Sequence, residues 1–257
     1  MNYCFQPSFM VIPSLACPGA CHYCFGPREG KIMDSSTGSA AISFMDRIMR
    51  ETNQDKLRLT LHGGEPLVAG YSFFENFLGE IDSVFSGRRR DLALQSNFWL
   101  LDERFCDLLK QHQVSVGTSL DGPEEINDSQ RGAGSYARTM AGIERARAAG
   151  ISVSCIATFT EQNAGRWEDV FDFFRLQNLP FSLHAAVPSL HGKSGLEIDP
   201  ALWGDILRGM FARYTRERHH NTDRNTGSVV PDRRGAGRCG LRLARLFRHV
   251  SCHRSVR

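Results

Sequence analysis

The sequence predicts an α/β fold, a partial (β/α)6 barrel of parallel strands with helices outside, followed by an irregular basic C-terminal tail. Three observations carry that prediction. Six short runs of β character alternate strictly with six stretches of helical apolar spacing, as in parallel strands joined by crossover helices. Six units are too few for the closed eight-stranded TIM barrel, so the barrel should be open. The residues with chemistry to offer fall where strands end, the end at which such folds gather their active sites.

Phe9-Met10-Val11-Ile12 is the first strand, and the cysteine-bearing loop follows it. Gly26 to Gly38, rich in Gly, Ser and charge, reads as loop, and Ala40 to Met49 has the apolar period of a helix. Leu57-Arg58-Leu59-Thr60-Leu61 alternates as a strand and runs into His62-Gly63-Gly64-Glu65-Pro66. Phe73, Phe74, Phe77, Leu78, Ile81 and Phe85 form the stripe of a second helix, closed by Gly87. Leu92 to Asn97 is the third strand and Glu103 to His112 the third helix. Val114 to Leu120 is the fourth strand, stopped by Asp121-Gly122-Pro123, whose composition is also that of a turn. Ser135 to Ala149 makes the next helix, with Gly150 as its stop signal. Ile151 to Phe159 and Phe181 to Val187 are the last strands, followed by helices over Trp167 to Leu176 and Ala201 to Tyr214.

A chain of 257 residues can bury one full-sized core, and 41% hydrophobic with 23% charged residues is ordinary for a globular protein. No apolar run is long enough to span a membrane, and Met1-Asn2-Tyr3-Cys4 lacks the pattern of a signal peptide. The expectation is a cytoplasmic protein with reduced cysteines. The net charge of +3 hides an asymmetry. From Asn221 onward nine arginines face only Asp223 and Asp232, so this segment carries +7 and the first 220 residues −4. A mildly acidic body argues against a nucleic-acid binder. Domain organisation is accordingly expected as a barrel over 1–220 and a basic tail over 221–257.

The strongest chemical signal is Cys17-Pro18-Gly19-Ala20-Cys21-His22-Tyr23-Cys24, three cysteines at C-x3-C-x2-C spacing in one loop. Thiolates that close in sequence can converge on a small inorganic centre. Closed zinc sites and ordinary iron–sulfur clusters take four protein ligands, so three leave one position open. A structural zinc ion would need a fourth ligand, and His22 is poorly placed beside Cys21. Eight cysteines in this length is not the density of a disulfide scaffold. Cys106 and Cys155 read as small core residues, and Cys4 has no partner spacing. His62 and His184 sit in or after strands, where a hydrogen-bonded structural role is the simpler reading.

Taken together, Cys17, Cys21, Tyr23 and Cys24, then Gly63-Gly64-Glu65-Pro66, Gln95-Ser96-Asn97, Ser119-Leu120-Asp121-Gly122-Pro123, Arg131 and Gly134-Ser135 resemble the radical S-adenosylmethionine (AdoMet) superfamily. They resemble in particular its peptide-modifying maturases, including the anaerobic sulfatase-maturating enzymes, over about Phe9 to Tyr214. The resemblance implies a [4Fe–4S] cluster on Cys17, Cys21 and Cys24 whose fourth iron binds AdoMet. It implies AdoMet contacts from Tyr23, Gly63, Gly64, Glu65, Pro66, Ser119 and Arg131. Glu65 would meet the amino group, Arg131 the carboxylate, Ser119 the ribose or carboxylate, and Tyr23 the adenine. Gln95, Asn97 and Asp121 are the candidates for catalysis. The implied activity is oxidoreductase-type: hydrogen-atom abstraction from a peptide or protein by a 5′-deoxyadenosyl radical, with an electron donor of flavodoxin or ferredoxin type.

The chain departs from that branch at its end. Only Cys239 and Cys252 follow the barrel, too few for the auxiliary clusters of the peptide-modifying branch. The tail's composition fits a truncated or frame-shifted remnant, with the shift near Val229. Two further readings stand beside the maturase: a radical enzyme acting on a small molecule or as an activase, and a non-catalytic zinc-binding interaction module with a basic tail.

Overall fold

A computed structural model describes residues 6–24, 26–188 and 195–223, with residues 218–223 described by their backbone. Six strands form one sheet in the order β1 (Phe9–Ser14), β2 (Lys56–Gly63), β3 (Arg89–Ser96), β4 (Ser115–Ser119), β5 (Val153–Phe159) and β6 (Phe181–Ala185). Every neighbouring pair is parallel. β1 and β6 are its two edges, so the predicted open six-unit barrel is what the chain builds.

Alternation sets which face each strand residue takes. Leu57, Leu59 and Leu61 of β2 are buried towards the helices, while Arg58, Thr60 and His62 take the other face. Register aligns these rows across the sheet: Phe9 beside Leu59, Leu59 beside Leu92, Leu94 beside Val116 and Val116 beside Val153. The helices are α1 (Ser35–Glu51), α2 (Tyr71–Val84), α3 (Glu103–Gln111), α4 (Glu124–Arg131), α5 (Ser135–Ala148), α6 (Trp167–Leu176) and α7 (Pro200–Asp223). Their apolar stripes close the core, with Phe73 stacked on Phe77 and Phe74 edge-on to Phe105. Cys106 and Cys155 are both buried there, and burial pushes the Cys155 thiol up to about 12, the environment of an inert thiol. No helix among the described residues is long and apolar enough to cross a membrane.

Three elements differ from expectation. Helix α1 starts at Ser35, inside the stretch read as loop, because the Asp34 carboxylate caps it by accepting from the Thr37 amide at 2.7 Å. The segment after Asp121-Gly122-Pro123, to which no element was assigned, forms α4, with Glu124 and Glu125 favourably placed in its first turn. Its period was invisible because its buried face is mostly polar: Asn127, Gln130 and Arg131 beside Ile126. The last helix, expected over Ala201 to Tyr214, is α7 and runs on to Asp223. Cys4, Cys239, Cys252 and the arginine-rich segment lie outside the described residues.

Candidate active site

The loop after β1 returns along the C-terminal ends of the strands. Its ends are tied by the Cys17 amide donating to the Arg28 carbonyl at 2.9 Å and the His22 amide donating to the Gln130 carbonyl of α4 at 2.8 Å. The His22 side chain itself is exposed. Cys17, Cys21 and Cys24 all line one pocket of about 320 Å³. A Cβ placed on Gly19 would stand 3.3 Å from the Cys17 sulfur and 3.9 Å from that of Cys21, so glycine leaves room between two thiols. The Gly19 amide donates to the Cys17 Sγ at 3.3 Å, and the Asn97 Nδ2 stands 3.9 Å from the same sulfur. Burial pushes the Cys17 and Cys21 thiols up; the Gly19 amide opposes it at Cys17, and the Arg131 guanidinium opposes it at Cys21. Bound iron would supply the rest of the charge compensation their thiolates need. No three His, Cys, Asp or Glu side chains among the described residues converge on a point suited to a single metal ion.

Gly63-Gly64-Glu65-Pro66 does its work behind the pocket wall. Gly64 and Glu65 donate their amides to the Ser14 and Ala16 carbonyls, at 3.0 and 2.8 Å, stapling the start of the cysteine loop to β2. The two backbones approach so closely that a Cβ on Gly64 would lie 2.4 Å from the Leu15 carbonyl oxygen and 2.6 Å from that of Ala16. Gly63 is held at φ +137° with its Cβ position 2.4 Å from the Ser14 oxygen. Pro66 opens a short 3₁₀ helix, Pro66–Ala69, which Glu65 caps. Gly64→Ala is therefore expected to destabilise the fold by about 3 kcal/mol and to lower cluster loading in parallel, read by denaturant titration and iron analysis.

Glu65, expected at the AdoMet amino group, points inward. It is 0% exposed, and its carboxylate accepts from the Leu67 amide (3.0 Å), the Ser96 hydroxyl (2.8 Å) and the Asn97 amide (2.7 Å). Burial pushes its carboxyl up in pKa, against these three donors. Of the four motif residues only Gly64 lines the pocket.

Asp121, a candidate for catalysis, is likewise 0% exposed and does not line the pocket. Its carboxylate accepts from Arg131 Nε and Nη2 at 2.8 and 2.9 Å, the Tyr23 hydroxyl at 2.9 Å, the Gln130 amide at 3.1 Å and the Thr158 backbone amide at 2.8 Å. The fork of Arg131 expected for a carboxylate of AdoMet is thus occupied by Asp121. Nη1 remains, 3.9 Å from the Cys21 sulfur, and the guanidinium lies 5.3 Å over the Tyr23 ring. Burial is the largest single effect on Arg131 and opposes its charge, but Asp121, Tyr23 and Cys21 together overcome it and raise its pKa, so the guanidinium stays protonated.

Gln95, Asn97, Ser119, Tyr23 and Arg131 do line the pocket, with Gln95 Nε2 donating to the Ser119 hydroxyl at 3.1 Å. Both histidines read as structural line it too. His62 is half-buried and His184 more open; desolvation pushes both imidazoles down, with His62 adding to the effect at His184. Trp99, Ser135, Thr139, Ile156 and Thr158 complete the wall. Sequence reasoning missed Trp99, whose indole donates to Thr139 at 3.1 Å. The one available signal was its position just past a strand end.

An open barrel of parallel strands thus carries a three-thiol loop whose cysteines line one pocket at the strands' C-terminal ends. The chain belongs to the radical SAM superfamily, whose family model matches residues 11–174 and whose enzymes use a [4Fe–4S] cluster and AdoMet. A protein of Methanothermobacter thermautotrophicus known as "Uncharacterized protein" is 39% identical over 208 residues, covering 80% of this chain and 78% of its own. The serine-type anaerobic sulfatase-maturating enzyme of Bacteroides thetaiotaomicron is 24% identical over 241 residues, covering 82% of this chain and 58% of its own. Native anSMEcpe with bound AdoMet and Cp18Cys peptide superposes with a TM-score of 0.74 at 22% identity, over 84% of this chain and 62% of the other. The chain thus spans about three fifths of the length of these maturases.

Proposed function

We propose that this chain abstracts a hydrogen atom from a peptide or protein substrate, using a [4Fe–4S] cluster on Cys17, Cys21 and Cys24. The observation that carries this reading is the single pocket in which those thiols meet Gly64, Ser119, Arg131 and Tyr23. When bound, the cluster supplies the electron that splits AdoMet into methionine and a 5′-deoxyadenosyl radical. The chain's own residues bind and orient. Gly64 lets the backbone lie close beside the thiols, Ser119 offers a hydroxyl held by Gln95, and Arg131 the Nη1 edge that Asp121 leaves free. Tyr23, fixed by its bond to Asp121, presents a ring face, and Gln95 and Asn97 offer amides to the substrate. The serine- and cysteine-type maturases among its relatives, and the peptide in the anSMEcpe structure, support a peptide substrate. A ferredoxin- or flavodoxin-type protein is the fitting electron donor, and 1–220 the catalytic unit.

Side-chain-deuterated peptide pools and deuterated metabolite pools, each incubated with reconstituted chain, dithionite and AdoMet, test the reading. Deuterium should appear in 5′-deoxyadenosine from the peptide pool. Label from the metabolite pool alone would replace it with the small-molecule reading.

The histidine pair predicts a pH dependence. Depressed pKa values keep both imidazoles neutral at neutral pH and charge them only as pH falls below the ordinary histidine value. AdoMet carries a net positive charge, so affinity should weaken on acidification from about pH 7.5 to about pH 5.5, by about fivefold or about 1 kcal/mol. Calorimetric titration reads this, and a His62→Gln/His184→Gln chain should lose the dependence.

A further inference from the structure

We propose that Asp121 is a positioning residue that sets, through Arg131, the charge felt at Cys21 and hence the reduction potential of the cluster. This rests on the reading that Cys17, Cys21 and Cys24 hold that cluster.

The geometry is specific. Asp121 sits at the end of β4 with no exposure, yet its two oxygens receive five donors from three directions. Arg131 and Gln130 come from α4, the Thr158 amide from β5 and the Tyr23 hydroxyl from the cysteine loop itself. Its own amide donates to Asn127 Oδ1 at 3.2 Å, so the backbone is fixed as well. A carboxylate held this way cannot swing to the pocket. Arg131 is only 8% exposed and cannot leave either. Its Nε and Nη2 face Asp121, while Nη1 lies 3.9 Å from the Cys21 sulfur. Asp121 and Cys21 therefore act on opposite sides of one guanidinium.

Charge and hydrogen bonding near the sulfurs are among the levers that set an iron–sulfur potential. A lone buried guanidinium beside a ligating sulfur would favour the reduced, more negative cluster. Asp121 offsets that charge and keeps the potential low, as a strongly reducing cluster requires. The effect is strong because both partners are buried, where charges are poorly screened.

The test is redox titration of anaerobically reconstituted full chain without AdoMet, followed by electron paramagnetic resonance. Asp121→Asn keeps the shape and removes the charge. It is expected to favour reduction by about tenfold, a rise of about 59 mV for a one-electron couple. Arg131→Gln leaves the carboxylate uncompensated and should move the potential the other way. The Asp121→Asn/Arg131→Gln chain, neutral throughout, should return towards wild type and spare the fold the unpaired buried charge of either single change. Tyr23→Phe removes only a neutral hydroxyl and should shift the reduction equilibrium by less than about twofold. Asp121→Glu, which restores the charge, should rescue the wild-type potential.

Shifts of one sign in both charge variants, or no shift in either, would overturn the proposal. So would loss of the cluster from every variant while wild type stays loaded, which would assign Asp121 a purely structural role. A wild-type chain that binds no cluster overturns the cluster reading, and this inference with it.

Discussion

Replacing Cys21 with alanine is expected to reduce bound iron from about four to less than about one per reconstituted chain, and to abolish reductive cleavage of AdoMet. The fold should survive the change. Cys21 is half-buried, and the loop keeps its other ties: Cys17 to Arg28, His22 to Gln130, and the Arg28 guanidinium on the Cys21 carbonyl at 2.5 Å. A partly exposed truncation with no orphaned polar group should cost about 1 kcal/mol or less. Loss of iron without loss of fold separates a ligand from a structural residue. Cys106→Ala is the control. Its thiol is buried against the core, so it should lose stability and retain iron.

Glu65→Ala should have the largest effect on stability. The carboxylate joins two elements, the 3₁₀ helix through Leu67 and the end of β3 through Ser96 and Asn97, while the Glu65 backbone amide, kept in the variant, holds the cysteine loop at Ala16. Truncation strands the Leu67 and Asn97 amides and the Ser96 hydroxyl in a site closed to solvent. Ser96 already accepts from the Phe98 amide at 3.0 Å, so its hydroxyl proton has no other assigned acceptor. The cost is expected at about 3–5 kcal/mol, or roughly 10 °C in Tm for a domain of this size. Glu65→Gln should fall between, because an amide retains one acceptor oxygen and turns a donor towards a donor. Thermal melts of the metal-free chains measure this directly. Glu65→Ala melting with wild type would contradict the inward-facing geometry.

These two residues also show what could be read from the sequence. The strands and most helices were legible because their buried faces are apolar at the right period, as in Leu57, Leu59 and Leu61 or the phenylalanines of α2. Helix α4 was not, since hydropathy carries no trace of a face buried through hydrogen bonds. The three cysteines were found by spacing alone. The direction of a side chain at a strand end was not available, because a shift of one residue turns it from pocket to core. Glu65 and Asp121 turn away from the pocket while Asn97 and Ser119 line it. His62 and His184 lie on its wall because β2 and β6 bring them to the same end of the sheet, a pairing that only the assembled barrel defines.

The most direct test of the central claim is the product analysis of the anaerobically reconstituted full chain, reduced with dithionite and given AdoMet. The fold and pocket predict about four irons per chain, with 5′-deoxyadenosine and methionine formed in equal amounts. Stoichiometric zinc in place of iron, with AdoMet recovered intact, would contradict it.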